Sequence, residues 1–316
     1  MPLLPLLKLG QDYLDLELST GGHLRTRIIE RPGLCLEEDA LAALLADLRS
    51  VAGSVLGEDE LEYGVLGGEP ERLAQAVVTV VYDRRTGQPL AFNALSILPV
   101  VLAGRQTEVL HLGLVMVDPG QRSRGLSWVL YGLTCMLLLF RNQMRPIWIS
   151  NVTQVPAIVG MVAESFVDVY PRPGADDGPT YRHLVLARQI MDRHRAAFGV
   201  GPEAGFDFQR FVITDAYTGG SDHLKKTFEE APKHREERFN RMCAEALDYG
   251  RGDDFLQLGR VSLGSARRYL LKSVPPSSLP AVAASYFFAF LGSVVLPVVH
   301  WLTPGRQTGE LRPWPR

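Results

Sequence analysis

The chain has 316 residues, 46% of them hydrophobic and 22% charged, and its 33 Lys and Arg stand against 35 Asp and Glu for a net charge of −2. That length leaves room for two domains, and the composition excludes a disulfide-stapled miniprotein, a disordered chain and a coiled-coil rod. The balance of charge leaves no global basic excess for phosphate backbones, so no nucleic-acid partner is expected.

Cys35, Cys135 and Cys243 lie far apart and form no CxxC pair. Neither a disulfide framework nor a metal site is expected, and a cytoplasmic setting is the default. The N-terminus has an apolar start with no basic residue ahead of it, and it does not read as a signal peptide.

Residues 1 to 35 read as an irregular or extended N-terminal extension ending at Arg31-Pro32-Gly33. From Leu36 to Val55, Leu41, Leu44, Leu45 and Leu48 recur at helical spacing and make an apolar stripe that needs a sheet to lie on. The β-branched run Ala76 to Tyr82, the turn Asp83 to Gln88 and the apolar stretch Pro89 to Val100 predict a hairpin. A second turn at Ala103 to Gln106 leads into Thr107 to Val117, which completes an antiparallel meander. Asp118 to Arg124 is loop and Leu126 to Asn142 a long helix. A short strand at Pro146 to Asn151 and a helix from Val155 to Glu164, with Pro156 in its first turn, come next. A strand from Phe166 to Tyr170 is then halted by Pro171 and Pro173.

Residues 191 to 275 are more polar, and Ser221 is placed to cap a charged helix running from Asp222 towards Leu247. Leu279 to Leu302 carries no formal charge when His300 is neutral and is long enough to cross a bilayer. A buried helix or dimer interface is the favoured reading of this tail, with a membrane anchor or membrane surface next. The predicted fold is α/β (α+β): a mixed, mostly antiparallel sheet flanked by helices, with an additional, mainly helical C-terminal region. Four divisions follow: 1–35, 36–190, an accessory region at 191–275 and an apolar tail at 276–316.

The segment from Leu114 to Leu130 carries the chemistry. It runs strand, short loop, helix, so the residues from Arg122 to Ser127 present consecutive N–H groups at a helix N-terminus. Arg122 and Arg124 add positive charge, and a pyrophosphate is the natural guest. Neither GxxxxGK[ST] nor GxGxxG occurs there, which removes the Walker and Rossmann loops.

What remains, Val117-Asp118-Pro119 followed by Arg122-x-x-Gly125-x-Ser127 and an apolar helix, resembles motif A of the GNAT acyltransferase superfamily. The order of elements from 36 to 190 agrees with that family, and Ala157 to Phe166 resembles its second motif in degraded form. The resemblance implies an acyl-CoA-dependent N-acyltransferase that takes acetyl-CoA or another acyl-CoA as co-substrate, without a metal. Its acceptor would be an amine on a small molecule or a protein. Peptide groups of Val115, Met116 and Val117 would hold the pantetheine arm, and Arg122, Ser123, Arg124, Gly125, Leu126 and Ser127 the pyrophosphate.

The sequence departs from the family where a Tyr proton donor usually stands: Met161 occupies that position, and Ser165 replaces a Gly. The Asn that often opens the following helix corresponds to Gln154, or its role passes to Asn151. His111, on the strand leading to the loop, is the candidate base, with Glu108 second. Tyr170, Tyr181 and His183 are candidates for the missing acid. The alternative is a non-catalytic CoA-binding or membrane-tethered interaction protein on a degenerate fold of this type.

Overall fold

The computed structural model describes residues 13–266 except 22, 56–63, 122–125, 127, 143, 176 and 220–221, and beyond these only 287, 291, 295, 298 and 302. The first strands are β1 (Asp15–Gly21), β2 (Leu24–Glu30), β3 (Ala76–Asp83), β4 (Pro89–Leu102) and β5 (Arg105–Val117). After them come β6 (Ile147–Thr153), β7 (Val167–Tyr170), β8 (Gly205–Asp207), β9 (Val212–Thr214) and β10 (Asp254–Val261). The main helices are α1 (Glu38–Gly53), α2 (Thr134–Arg141), α3 (Pro156–Ser165), α4 (Tyr181–Arg193) and α5 (Glu237–Ala246).

The strands hydrogen-bond in the order β1-β2-β3-β4-β5-β6-β10-β9-β8, and β7 also pairs β10. β5 and β6 run parallel, while β1–β2, β2–β3, β6–β10, β7–β10, β9–β10 and β8–β9 are antiparallel. Two compact units divide the chain, one drawn from Met1–Leu95, Leu114–Pro146 and Ala266–Arg316, the other from Ser96–Gly113 and Ile147–Ser265.

In the first unit, the two-residue period of the strands sorts side chains onto two faces. Val78, Val80, Tyr82, Phe92, Ala94 and Met116 pack against Leu44, Leu48, Val51 and Ala52 of α1. Thr79 and Asn93, the odd members, point the other way: Thr79 Oγ1 lies 2.7 Å from Thr134 Oγ1. The Asn93 amide donates to the Leu130 carbonyl. Leu130 belongs to a π-helical turn, Trp128–Leu133, that runs straight into α2. Glu30, wholly buried, pairs with Arg141 at 3.1 Å and accepts the Leu14 N–H at 3.2 Å. Burial pushes the Glu30 carboxyl up, and the Arg141 charge works against that rise.

In the second unit, Leu186, Ala187, Ile190 and Met191 of α4 cover Leu98, Val100, Val109, Trp148, Leu256 and Leu258. The opposite face buries Phe255 with Val159 of α3 and Phe239 and Cys243 of α5. At Gly160 on α3 a Cβ would meet the His234 ring, with Nε2 at 2.7 Å. That ring lies edge-on to Phe239 at 4.6 Å, and the His234 N–H donates to Asn240 at 2.8 Å, so it has little room to retreat.

The meander, α1, α3, β6 and β7 fall where the sequence places them, within one or two residues. Within the expected N-terminal extension, Asp15–Gly21 and Leu24–Glu30 pair as an antiparallel β1–β2 hairpin, and residues 1–12 lie outside the described residues. The long charged helix expected from Asp222 is confined to Glu237–Ala246, with a short 3-10 turn at Asp222–Leu224. Pro232, which has no N–H to give, falls between them. Sequence patterning misses α4, β8, β9 and β10, the last of which runs through the centre of the second unit's sheet. The apolar tail from 279 to 302 lies outside the described residues except at five positions. Among the described residues, no helix is long and apolar enough to cross a membrane.

Arg141→Leu strands the Glu30 carboxylate in the core and is expected to cost about 3–5 kcal/mol in urea unfolding. Gly160→Ala is expected to cost about 1–3 kcal/mol in the same assay. Wild-type midpoints for both would show that neither contact is rigid.

Candidate functional site

β4 turns into β5 through Ala103 and Gly104, both at positive φ (51° and 73°), as a tight two-residue hairpin turn requires. β5 then pairs β6 in parallel at Val109↔Trp148, Leu110↔Ile149 and His111↔Ser150. The pairing with β6 stops there, and β5 continues to Val117. Among the described residues no strand pairs the outer edge of Leu114–Val117. The main chain there has peptide N–H and C=O groups to satisfy, and an unpaired edge in mid-sheet is a template for an extended ligand. Gly113, Leu114, Val115 and Val117 are half-buried, whereas Met116 turns inward at 5% exposure.

The end of β5 is held on its β4 side, where the Asp118 N–H donates to the Leu90 carbonyl at 2.9 Å. Asp118 Oδ1 accepts the Gly120 N–H at 2.8 Å and shapes the turn Pro119–Gln121. Arg122, Ser123, Arg124, Gly125 and Ser127 lie outside the described residues. Leu126, which ends the loop, is buried, and its carbonyl accepts N–H groups from Val129 and Leu130 at 3.0 Å each. A helical segment thus opens directly after the loop, as an anion-binding terminus requires.

His111 sits at the last β5–β6 pair. It is 3% exposed, its Nδ1 is 3.0 Å from Ser150 Oγ, and its ring stacks on Phe198 at 4.9 Å. Burial pushes its pKa down to about 4, so the imidazole is neutral at physiological pH. Neutrality suits a base, but the seal of Phe198 and the low basicity do not.

Asn151 follows Ser150 and therefore projects from the opposite face of the sheet. Its amide donates to Gln257 Oε1 at 3.3 Å. Gln257 Nε2 in turn donates to the carbonyls of Val159 and Pro171 at 3.3 and 3.1 Å. This chain ties β6 and β10 to α3 and to the end of β7. Gln154, 1% exposed, spends three of its four hydrogen-bonding positions on the Lys226 backbone and the Tyr217 hydroxyl.

The three candidate catalytic side chains therefore do not converge on one point. Of the candidate acids, Tyr170 and His183 lie together, with ring centroids 6.1 Å apart, but Tyr181 is 78% exposed at the start of α4, and Tyr170 donates to the Gln209 carbonyl at 2.5 Å. His183 closes a capping box with Thr180. Its Nε2 lies 2.8 Å from the Asp168 carbonyl oxygen. Sequence reading misses Ser150, Gln257, Tyr217, Tyr249 and Asp254, the partners that hold these groups. The one signal for them is Asp253-Asp254 standing directly ahead of an apolar run.

No family model and no curated protein matches the chain. Among solved structures it is similar to the ribosomal-protein-S5-alanine acetyltransferase from Vibrio fischeri, at 13% identity and TM-score 0.28 over 43% of this chain and 74% of that one. It is also similar to a mutant AtaT toxin bound to the C-terminus of the antitoxin AtaR and acetyl-CoA, at 13% identity and TM-score 0.31 over 46% and 86%. A third is a spermidine N-acetyltransferase SpeG chimera from Vibrio cholerae and hSSAT, at 13% identity and TM-score 0.29 over 45% and 79%.

A histidine whose folded pKa is depressed contributes stability that is full above the ordinary histidine range and lost as pH falls through the folded value. For His111 the loss is expected as pH drops from 6.5 to about 4. His111→Gln should flatten that stretch of the urea-midpoint profile. Imidazole NMR should place the midpoint near the lower figure, and a midpoint at the ordinary value would show that the ring is not sealed.

Proposed function

We propose that the chain binds an acyl-coenzyme A and transfers its acyl group to an amine. The observation that carries this reading is the second half of β5, an extended stretch with an unpaired edge that runs straight into a loop with two arginines and a helix start. Such an edge matches the alternating amide groups of a pantetheine arm, and the loop matches a pyrophosphate. In this assignment Val115, Met116 and Val117 contribute peptide groups. Arg122, Ser123, Arg124, Gly125, Leu126 and Ser127 contribute N–H groups and charge.

In the transfer step the neutral amine nitrogen attacks the thioester carbonyl, the C–N bond forms, and the C–S bond breaks. The proton released by nitrogen neutralises the departing thiolate. An amine that arrives unprotonated needs no buried base, which fits the dispersal of His111, Asn151 and Gln154. Their role in this assignment is to fix the end of the β5–β6 pairing and the chain leaving β6. The second reading, coenzyme A binding without turnover, is favoured by Met161, which has no proton to donate.

Calorimetry with coenzyme A should give saturable binding to wild type and a loss of about tenfold or more for Gly125→Asp, whose carboxylate repels the pyrophosphate. Equal binding by both proteins would overturn the loop assignment. Thiol release from acetyl-CoA in the presence of a polyamine or peptide amine separates the two readings. Binding without amine-dependent release selects the second.

A further inference from the structure

β6 ends at Thr153, and Gln154 follows it into a buried polar cluster independent of the acyl-coenzyme A reading. The Lys226 backbone fixes the orientation of the Gln154 amide: the Lys226 N–H donates to its oxygen at 2.8 Å, and its nitrogen donates to the Lys226 carbonyl at 3.2 Å. The same amide oxygen lies 2.7 Å from the Tyr217 hydroxyl, which must then donate to it. The Tyr217 hydroxyl also stands 3.1 Å from Asp254 Oδ1, where it can donate to an ionised carboxylate. A phenol has one proton. If Tyr217 spends that proton on Gln154, the contact with Asp254 is satisfied only when Asp254 carries a proton and donates it to the phenol oxygen.

We infer that Asp254, Tyr217 and Gln154 form a proton-binding clamp that fastens the backbone at Lys226 to the end of β6, and that loss of the Asp254 proton loosens it. Once Asp254 is ionised, one phenol proton has two acceptors to serve, and the Gln154 link is weakened. The surroundings favour the protonated form. Asp254 is 5% exposed and stands next to Asp253, which is wholly buried. The only charge Asp253 brings is negative, and Arg251 is already committed to it by two bonds of 2.7 Å. Tyr249, whose hydroxyl donates to the Gln154 carbonyl at 2.7 Å, and Lys225, whose Nζ donates to the Gly250 carbonyl at 2.6 Å, are titratable groups of this neighbourhood, as are Cys243 beside Tyr249 and Asp248 and Asp215 beside Arg251. Burial pushes the Asp254 carboxyl up, the Tyr217 hydroxyl works against that rise and Asp253 adds to it, which leaves the carboxyl pushed up to about 7.

The sign of the pH dependence follows. A carboxyl that binds its proton more tightly in the closed state than in the open one favours closure at low pH and loses that advantage as pH rises towards the closed-state value. Hydrogen exchange of the Lys226 amide in the full-length protein, corrected for intrinsic rate, tests this. Protection should fall by up to about tenfold per pH unit between about pH 5 and 7 and then level off. Asp254→Asn, whose amide can donate to the phenol oxygen at any pH, should abolish the slope. Should that variant fail to fold, the carbon-13 titration of the wild-type Asp254 carboxyl decides alone. A midpoint near neutrality supports the clamp, and one in the ordinary carboxylate range overturns it. A pH-independent Lys226 amide in wild type, or an unchanged slope in Asp254→Asn, also overturns it.

Discussion

A strand inside a sheet has two edges to satisfy, and β5 keeps its parallel partner for only part of its length. The last shared pair is His111 with Ser150, and beyond it the peptide groups of β5 have no strand on that side among the described residues. Main-chain donors and acceptors are rarely left unmet in a folded protein, so a stretch of this kind is completed by water or by a ligand of alternating polarity. The proposed function follows from that requirement. The turn held by Asp118 and the helical start anchored on Leu126 are arranged around the point where the strand gives way to the loop.

Polar groups inside the second unit follow the same rule. Asn151, Gln257 and Gln154 are buried, and each spends its amide on named partners, much of the time main chain. A buried amide with its partners in place tolerates one register and one neighbour, because a slip would leave several groups unmet at once. These networks specify how β6, β10 and α3 meet more sharply than the aliphatic contacts around them, which accept many volumes.

Local patterning made much of this architecture readable. β-branched runs, turn chemistry at Asp83 to Gln88 and leucines at helical spacing located β3, β4, β5 and α1 because each signal is complete within about a dozen residues. β10 was lost because its apolar residues sit among Asp254, Gln257 and Arg260. Its Gln257 is buried by partners more than 80 residues away, and nothing local announces them. The same reason explains the site. The loop motif is contiguous and was visible, as was the strand before it. That His111 and Asn151 face opposite sides of the sheet depends on the β5–β6 register, which the sequence does not print. The imagined helix from Asp222 shows the converse error, since a charged run supplied the pattern while Pro232 decided the outcome.

The position of β10 governs the order in which the second unit can assemble. It pairs β6, β7 and β9, yet it comes after all of them in the chain. On a ribosome, β6 therefore emerges with one edge waiting for a strand that is made about a hundred residues later. Until residue 261 has been synthesised, that edge is open to water and to any other extended chain nearby. Long-range closure of this kind is slow and exposes the intermediate to misassociation. The intervening α3, α4 and α5 segments must hold the unfinished sheet in solution until its centre arrives.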